Sequence, residues 1–142
     1  MENRERLIQK MKTAIGPDGL VLEREQLRTY ECDGLTSYRV IPSLVILPES
    51  AEEVRKAVRV CHEEGVPFVA RGSGTGLSGG ALPVEQGVLI VLARMRRILE
   101  VDIPNQRVVV EPGVINLWVT QEVAPEGYYY APDPSSQLVC SI

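Results

Sequence analysis

No stretch of this sequence is apolar for the roughly 20 residues a membrane-crossing helix needs. The amino terminus, Met1 to Arg6, is dense in charge and leads into no apolar run, which argues against a secretory signal. Cysteine is scarce: Cys32, Cys61 and Cys140 are odd in number, widely separated and outside any C-x-x-C spacing. That pattern excludes a disulfide framework and a local metal cluster, so no metal is expected and a reducing cytoplasm fits best. Positive charge is in deficit as well, with 15 Lys and Arg against 19 Asp and Glu, a net charge of −4 and a pI near 5.1. A surface that tracks nucleic-acid phosphates normally carries a basic patch, so nucleic acid is set aside as a partner. Histidine occurs once, at His62. It falls one residue past the apolar face of a predicted helix, a partly exposed structural position rather than a catalytic one.

What is present is an ordinary globular composition, 44% apolar and 24% charged, in a chain of 142 residues, the size of one domain. Leu7, Ile8, Met11, Ala14 and Ile15 recur at helical spacing before a Gly16-Pro17 stop, which predicts an amphipathic first helix. Residues 20–43 show no sustained period and read as loops with at most one short helix. The apolar run 44–47, bounded by turn formers, predicts a buried strand. Ser50 is placed to cap a helix while Glu53 reaches back. Val54, Val58 and Cys61 share a face of that helix, and Gly65 ends it. With a strand over 67–70, this is a strand-helix-strand unit whose strands should run parallel. Val88 to Leu92 reads as a continuous buried strand, Ile98–Asp102 and Arg107–Glu111 as a hairpin around Pro104-Asn105, and Asn116 as the cap of a short helix reaching Ala124. Pro125, Gly127, Pro132 and Pro134 then impose an irregular tail.

The most informative segment is Arg71-Gly72-Ser73-Gly74-Thr75-Gly76-Leu77-Ser78-Gly79-Gly80, which follows a predicted strand. Glycine tolerates positive φ and lets backbone approach a ligand, so successive amides can converge on an anion, with the hydroxyls of Ser73, Thr75 and Ser78 as further donors. Arg71 is the only ionisable side chain between Gly65 and Val84, which keeps sequence-local carboxylates away from a bound phosphate. Residues 74–79 satisfy G-x-G-x-x-G, but a nicotinamide-type site requires that loop to open into a helix, and here Pro83 leads to a strand. A triphosphatase loop is excluded because no Lys-Ser or Lys-Thr follows the glycines. A tight turn without a ligand is the competing reading. Five glycines and three hydroxyls favour a phosphate-bearing ligand over it.

Taken with Pro132-Asp133-Pro134-Ser135-Ser136-Gln137-Leu138-Val139-Cys140-Ser141-Ile142, the stretch from Pro67 to Gly80 resembles the FAD-binding (PCMH-type) domain of the vanillyl-alcohol oxidase and p-cresol methylhydroxylase family. Within it, the resemblance is strongest to the D-2-hydroxy-acid branch of the glycolate oxidase D-subunit type, and it extends from about Pro42 to Ile142. It implies an α+β fold with a small first subdomain over about 1–85, containing the strand-helix-strand unit, and the beginning of a second, mixed or antiparallel subdomain over about 86–142. It implies FAD, with Gly72, Ser73, Gly74, Thr75, Gly76, Ser78, Gly79 and Gly80 around its diphosphate and Arg71 adding charge nearby. Pro132, Asp133, Ser136, Cys140 and Ser141 would lie along the flavin. Some members attach flavin through a histidine of the glycine loop. Thr75 stands there, so FAD is expected to be held without a covalent bond. The implied reaction oxidises a 2-hydroxy acid such as glycolate or D-lactate, with other oxidase subunits, or a polypeptide carrying the rest of the flavin and capping domains, as partners. A non-catalytic flavin-binding or assembly module is the alternative. The family's catalytic residues lie beyond the matched motifs, so none is assigned here.

Overall fold

The structure is a computed structural model that describes residues 2–142. Helix α1 (Glu2–Ile15) forms on the predicted apolar spacing, burying Leu7, Ile8 and Met11, and the chain leaves it at Gly16 with φ 79° ahead of Pro17. A short strand β1 (Leu20–Val21), one turn of α2 (Arg24–Leu27) and a 3-10 turn follow. Strand β2 (Leu44–Ile46) is buried throughout and leads into α3 (Ala51–Glu64). The Ser50 hydroxyl accepts from the Glu53 amide at 3.3 Å. The Glu53 carboxylate returns to the Glu49 amide at 2.8 Å, one residue before the cap. Gly65, with φ 63°, closes the helix in the left-handed conformation that glycine adopts without Cβ strain.

Strands β3 (Phe68–Arg71) and β4 (Val88–Val91) complete a four-stranded sheet of order β1-β2-β4-β3, in which β1 is antiparallel to β2 and the other three strands run parallel. The two strands of the predicted strand-helix-strand unit are therefore parallel, but they are not neighbours. β4 lies between them, pairing Leu44 with Val88 on one side and Phe68 with Val88 on the other. The physical reason is burial: β4 is the one four-residue strand of this sheet buried at every position, and the inner place gives it a hydrogen-bonded partner on both edges. β3 takes the edge, with alternating exposure. Residues 88–91 thus sit inside the first sheet although they fall past residue 85.

Alternation along the strands splits the apolar side chains into two cores. Leu44, Ile46, Val88 and Ile90 meet Leu7 and Met11 of α1 and Ala57 and Cys61 of α3. Val45, Leu89 and Val91 meet Leu27, with Tyr30 packed alongside. Burial pushes the Cys61 thiol up to about 11, so it is an apolar filler rather than a nucleophile. Glu64, almost wholly covered, ties the two helices together by accepting from Arg6 at 2.7 Å and Lys10 at 2.6 Å.

Beyond this sheet, β5 (Ile98–Asp102) and β6 (Arg107–Val110) form the predicted antiparallel hairpin, with an irregular register between Ile98 and Glu100. Glu111 fixes its open end: one carboxylate oxygen accepts from the Arg97 amide at 2.8 Å, the other from the Arg97 guanidinium at 3.0 and 2.7 Å. Helix α4 (Asn116–Val123) follows. Asn116 does not cap it. Ile115 holds the cap position without a side-chain bond, and the buried Asn116 amide group instead donates to the Pro132 carbonyl at 3.2 Å, tying the irregular tail to the helix.

Candidate functional site

Neighbouring parallel strands need a long connection to return the chain to the starting end, and between β3 and β4 that connection is the glycine-rich segment itself, residues 72–87. It contains no helix. The loop is anchored at both ends, since the Leu92 amide donates to the Arg71 carbonyl at 2.8 Å and the Val88 amide to the Pro67 carbonyl at 2.9 Å.

Inside the loop, Gly74 and Gly79 adopt φ of 73° and 77°, the left-handed conformation anticipated for an anion-binding turn. The amides of residues 74–80 donate to no acceptor among the described residues. Gly76 and Gly80 face open space, with no atom within 4 Å of where a Cβ would stand. Leu77 is 72% exposed. The segment is thus a run of unspent donors on an accessible surface. That donor set fits a diphosphate, which brings acceptors and no hydrogen-bond donors.

The two motifs singled out in the sequence meet at one point. The Ser141 hydroxyl accepts from the Ser73 amide at 3.1 Å, across 68 residues, and Gly72 lies so close beneath that hydroxyl that a Cβ would overlap it. The terminal stretch is held by the Ile142 amide donating to the Val114 carbonyl and the Asn116 amide to that of Cys140, both at 3.0 Å. Pro132, Asp133 and Ser136 make no hydrogen bond to the glycine loop among the described residues. Ser136 instead turns the chain, its carbonyl accepting from the Val139 and Cys140 amides at 2.8 Å.

Arg71 is directed inward along the N-terminal segment. Its guanidinium donates to the Cys32 carbonyl at 2.6 Å and the Tyr30 carbonyl at 3.4 Å, and stands 6.0 Å over the Tyr30 ring. Gly74 rests against the same guanidinium and leaves no room for a Cβ. Next along, a Cβ on Gly34 would stand 2.6 Å from the Thr75 carbonyl oxygen and 2.7 Å from that of Gly76. Asp33 is buried, with one carboxylate oxygen accepting from the Leu35 amide at 2.8 Å and the other without a partner among the described residues. Sequence reasoning missed this segment. The Asp33-Gly34 pair signalled only a turn, and the groups that Arg71 seeks are backbone carbonyls, which carry no residue-type signature.

The profile of the family described as FAD binding domain matches residues 42–142. The chain belongs to that family, and its cofactor is FAD. Glycolate oxidase subunit GlcD of Escherichia coli K12 is 56% identical over 118 residues, covering 83% of this chain and 24% of the relative. Glycolate oxidase subunit GlcD of Bacillus subtilis is 37% identical over 127 residues, covering 89% and 27%. Among solved structures, p-cresol methylhydroxylase superposes with a TM-score of 0.75 at 25% identity over 89% of this chain and 25% of its own. Alkyldihydroxyacetonephosphate synthase superposes with a TM-score of 0.84 at 23% identity over 96% and 28%, a likeness of fold. The chain spans about a quarter of the length of the curated relatives it matches. No helix among the described residues is long and apolar enough to cross a membrane.

Proposed function

We propose that this chain is the FAD-binding N-terminal quarter of a flavin-dependent oxidoreductase acting on a 2-hydroxy acid such as glycolate or D-lactate. The observation that carries the reading is the run of unspent amides from Gly74 to Gly80, in a chain that belongs to the FAD-binding family. When bound, FAD supplies the ring that accepts a hydride from the α-carbon of the substrate. The protein's part is to bind and orient. The backbone of Gly72 to Gly76, with Ser78, Gly79 and Gly80 adjoining, takes the diphosphate, and Ser141 sets the loop through the Ser73 amide. Pro132, Asp133, Ser136 and Cys140 line the flavin side. The first subdomain runs through β4 to about residue 92, and the second opens with the hairpin. The protein works in the cytoplasm on a small 2-hydroxy acid, with other oxidase subunits as partners.

Gly76→Val tests the reading directly. Its Cβ would enter open space, so the fold should survive, while a ligand seated against the loop would be displaced. FAD affinity, followed by flavin fluorescence, should fall more than tenfold, about 1.4 kcal/mol or more. Unchanged affinity in the folded variant removes the loop from the site. Because Thr75 stands where a histidine could attach flavin, acid precipitation should release all the colour. Flavin retained in the pellet contradicts non-covalent binding.

The alternative is a flavin-binding or assembly module without its own turnover. Rate enhancement depends on fixing ring and substrate together. The 142 residues with excess FAD should therefore oxidise neither glycolate nor D-lactate above a free-FAD control with an artificial electron acceptor. Turnover well above that control would make the chain a sufficient enzyme.

A further inference from the structure

The family match begins at residue 42, yet the glycine loop leans on residues that precede it. We propose that the segment from Tyr30 to Leu35 is a wall of the cofactor site, and that Arg71 is a positioning residue that clamps the loop to this wall rather than a ligand of the diphosphate. The inference rests on the FAD reading above. Three contacts spread along the loop support it. At its root, the Arg71 guanidinium is taken up by the Cys32 and Tyr30 carbonyls. In its middle, the absence of a side chain at Gly34 lets the wall touch the Thr75 and Gly76 carbonyls. At its far end, Leu35 Cδ2 comes to 4.0 Å from where a Cβ on Gly79 would stand.

The wall has its own means of holding shape. The Asp33 carboxylate accepts from the Leu35 amide in a local turn, and the Val40 amide donates to the Glu31 carbonyl at 2.8 Å, closing the segment into a bend. A guanidinium suits the clamp because its planar fork can serve two carbonyls and lie over a ring. An ammonium is a point charge without that geometry. With the carbonyls of Thr75 and Gly76 pressed against the wall, the loop's free amides are left for the opposite, open side.

Charge and geometry separate in a pair of variants. If Arg71 clamps the loop, Arg71→Lys and Arg71→Met should both weaken FAD binding at least tenfold and by similar factors. If it acts by charge on the diphosphate, Arg71→Lys should bind as the parent does, with only Arg71→Met impaired, and the proposal falls. Gly34→Ala changes no charge and should lower affinity to the same degree. Parent-like affinity in that variant also overturns the wall. A second readout needs no cofactor: backbone ¹⁵N order parameters over residues 73–80 should drop from rigid values near 0.85 to below about 0.6 in Arg71→Lys. Those of α1 and α3 should hold, showing that the fold is intact. Rigid loop amides in the folded variant refute the clamp. Should the parent chain bind no FAD, the cofactor reading fails, and the order parameters still decide whether the wall holds the loop.

Discussion

The four-stranded sheet and the hairpin beyond it use similar residues to different ends. In the sheet, every position of β2 and β4 is buried, and each face has its own core. In the hairpin, Leu99 is 56% exposed and Val109 41%, while a cavity of about 290 Å³ remains between the strands, α4 and the Tyr128–Pro132 stretch. A two-stranded ribbon alone is marginal in water. Here it is held by a buried carboxylate rather than by a covered apolar face. The first region is stabilised by packing and the second by a few directed polar contacts. The glycine loop is fastened through Arg71 to the Tyr30 and Cys32 carbonyls on one side and through Ser141 to the terminal stretch on the other.

The contrast is broken most forcefully from the sheet side. Met11 is fully buried between α1 and the sheet, so Met11→Ala should cost about 2–5 kcal/mol in equilibrium unfolding. A loss under 1 kcal/mol would mean that this core is no better packed than the hairpin. Next in expected size is the response to acid. Hydrogen bonds from Arg97 hold the Glu111 carboxyl below its ordinary value of 4.5, and those from Lys10 and Arg6 do the same for Glu64. For a carboxylate with a depressed folded value, the stabilisation is present above 4.5 and is lost as pH falls below it. Acid unfolding of the parent should therefore steepen below pH 4.5. Glu111→Gln should remove the part reported by probes in the hairpin, and Glu64→Gln the part reported by α1 and α3. Identical curves from both probes would merge the two regions into one cooperative unit.

Smaller again is the link between the regions. Ser141→Ala leaves the Ser73 amide without its acceptor, which should cost about 1 kcal/mol and loosen residues 72–74 without altering α3. No change in loop exchange would show that the hydroxyl only rests there. Least of all, Leu99→Ser on the open hairpin face should stay within about 0.5 kcal/mol. A loss of 2 kcal/mol would reveal that the face is covered in solution.

Much of this fold was legible because its signals are local. The Ser50 cap, the Gly65 stop, the all-apolar run of β4 and the turn between β5 and β6 each announce themselves within a few residues. The loop was legible for the same reason: glycine at Gly74 and Gly79 marks backbone that other residues adopt at a cost. Three features were not. The place of β4 between β2 and β3 is a long-range choice decided by which strand gains most from two neighbours. β1 is two residues long and shows no period. Asn116 and Arg71 spend their side chains on the carbonyls of Pro132, Tyr30 and Cys32, so their partners are invisible to any reading of side-chain types. That is why Asn116 reads as a cap in the sequence.

The strand order also bears on how the molecule comes into being. Strand β4 is the last of the four to be synthesised, so β2 and β3 emerge with a vacancy between them. Until residue 91 has left the ribosome, β2 lacks a partner on one edge and β3 on both, and helices α1 and α3 have only part of their platform. Insertion of β4 is then the step that zips both edges and draws the 72–87 connection taut between Arg71 and Val88. Contacts so distant in sequence favour slow folding. The glycine loop should accordingly acquire its shape late and all at once, as a by-product of closing the sheet.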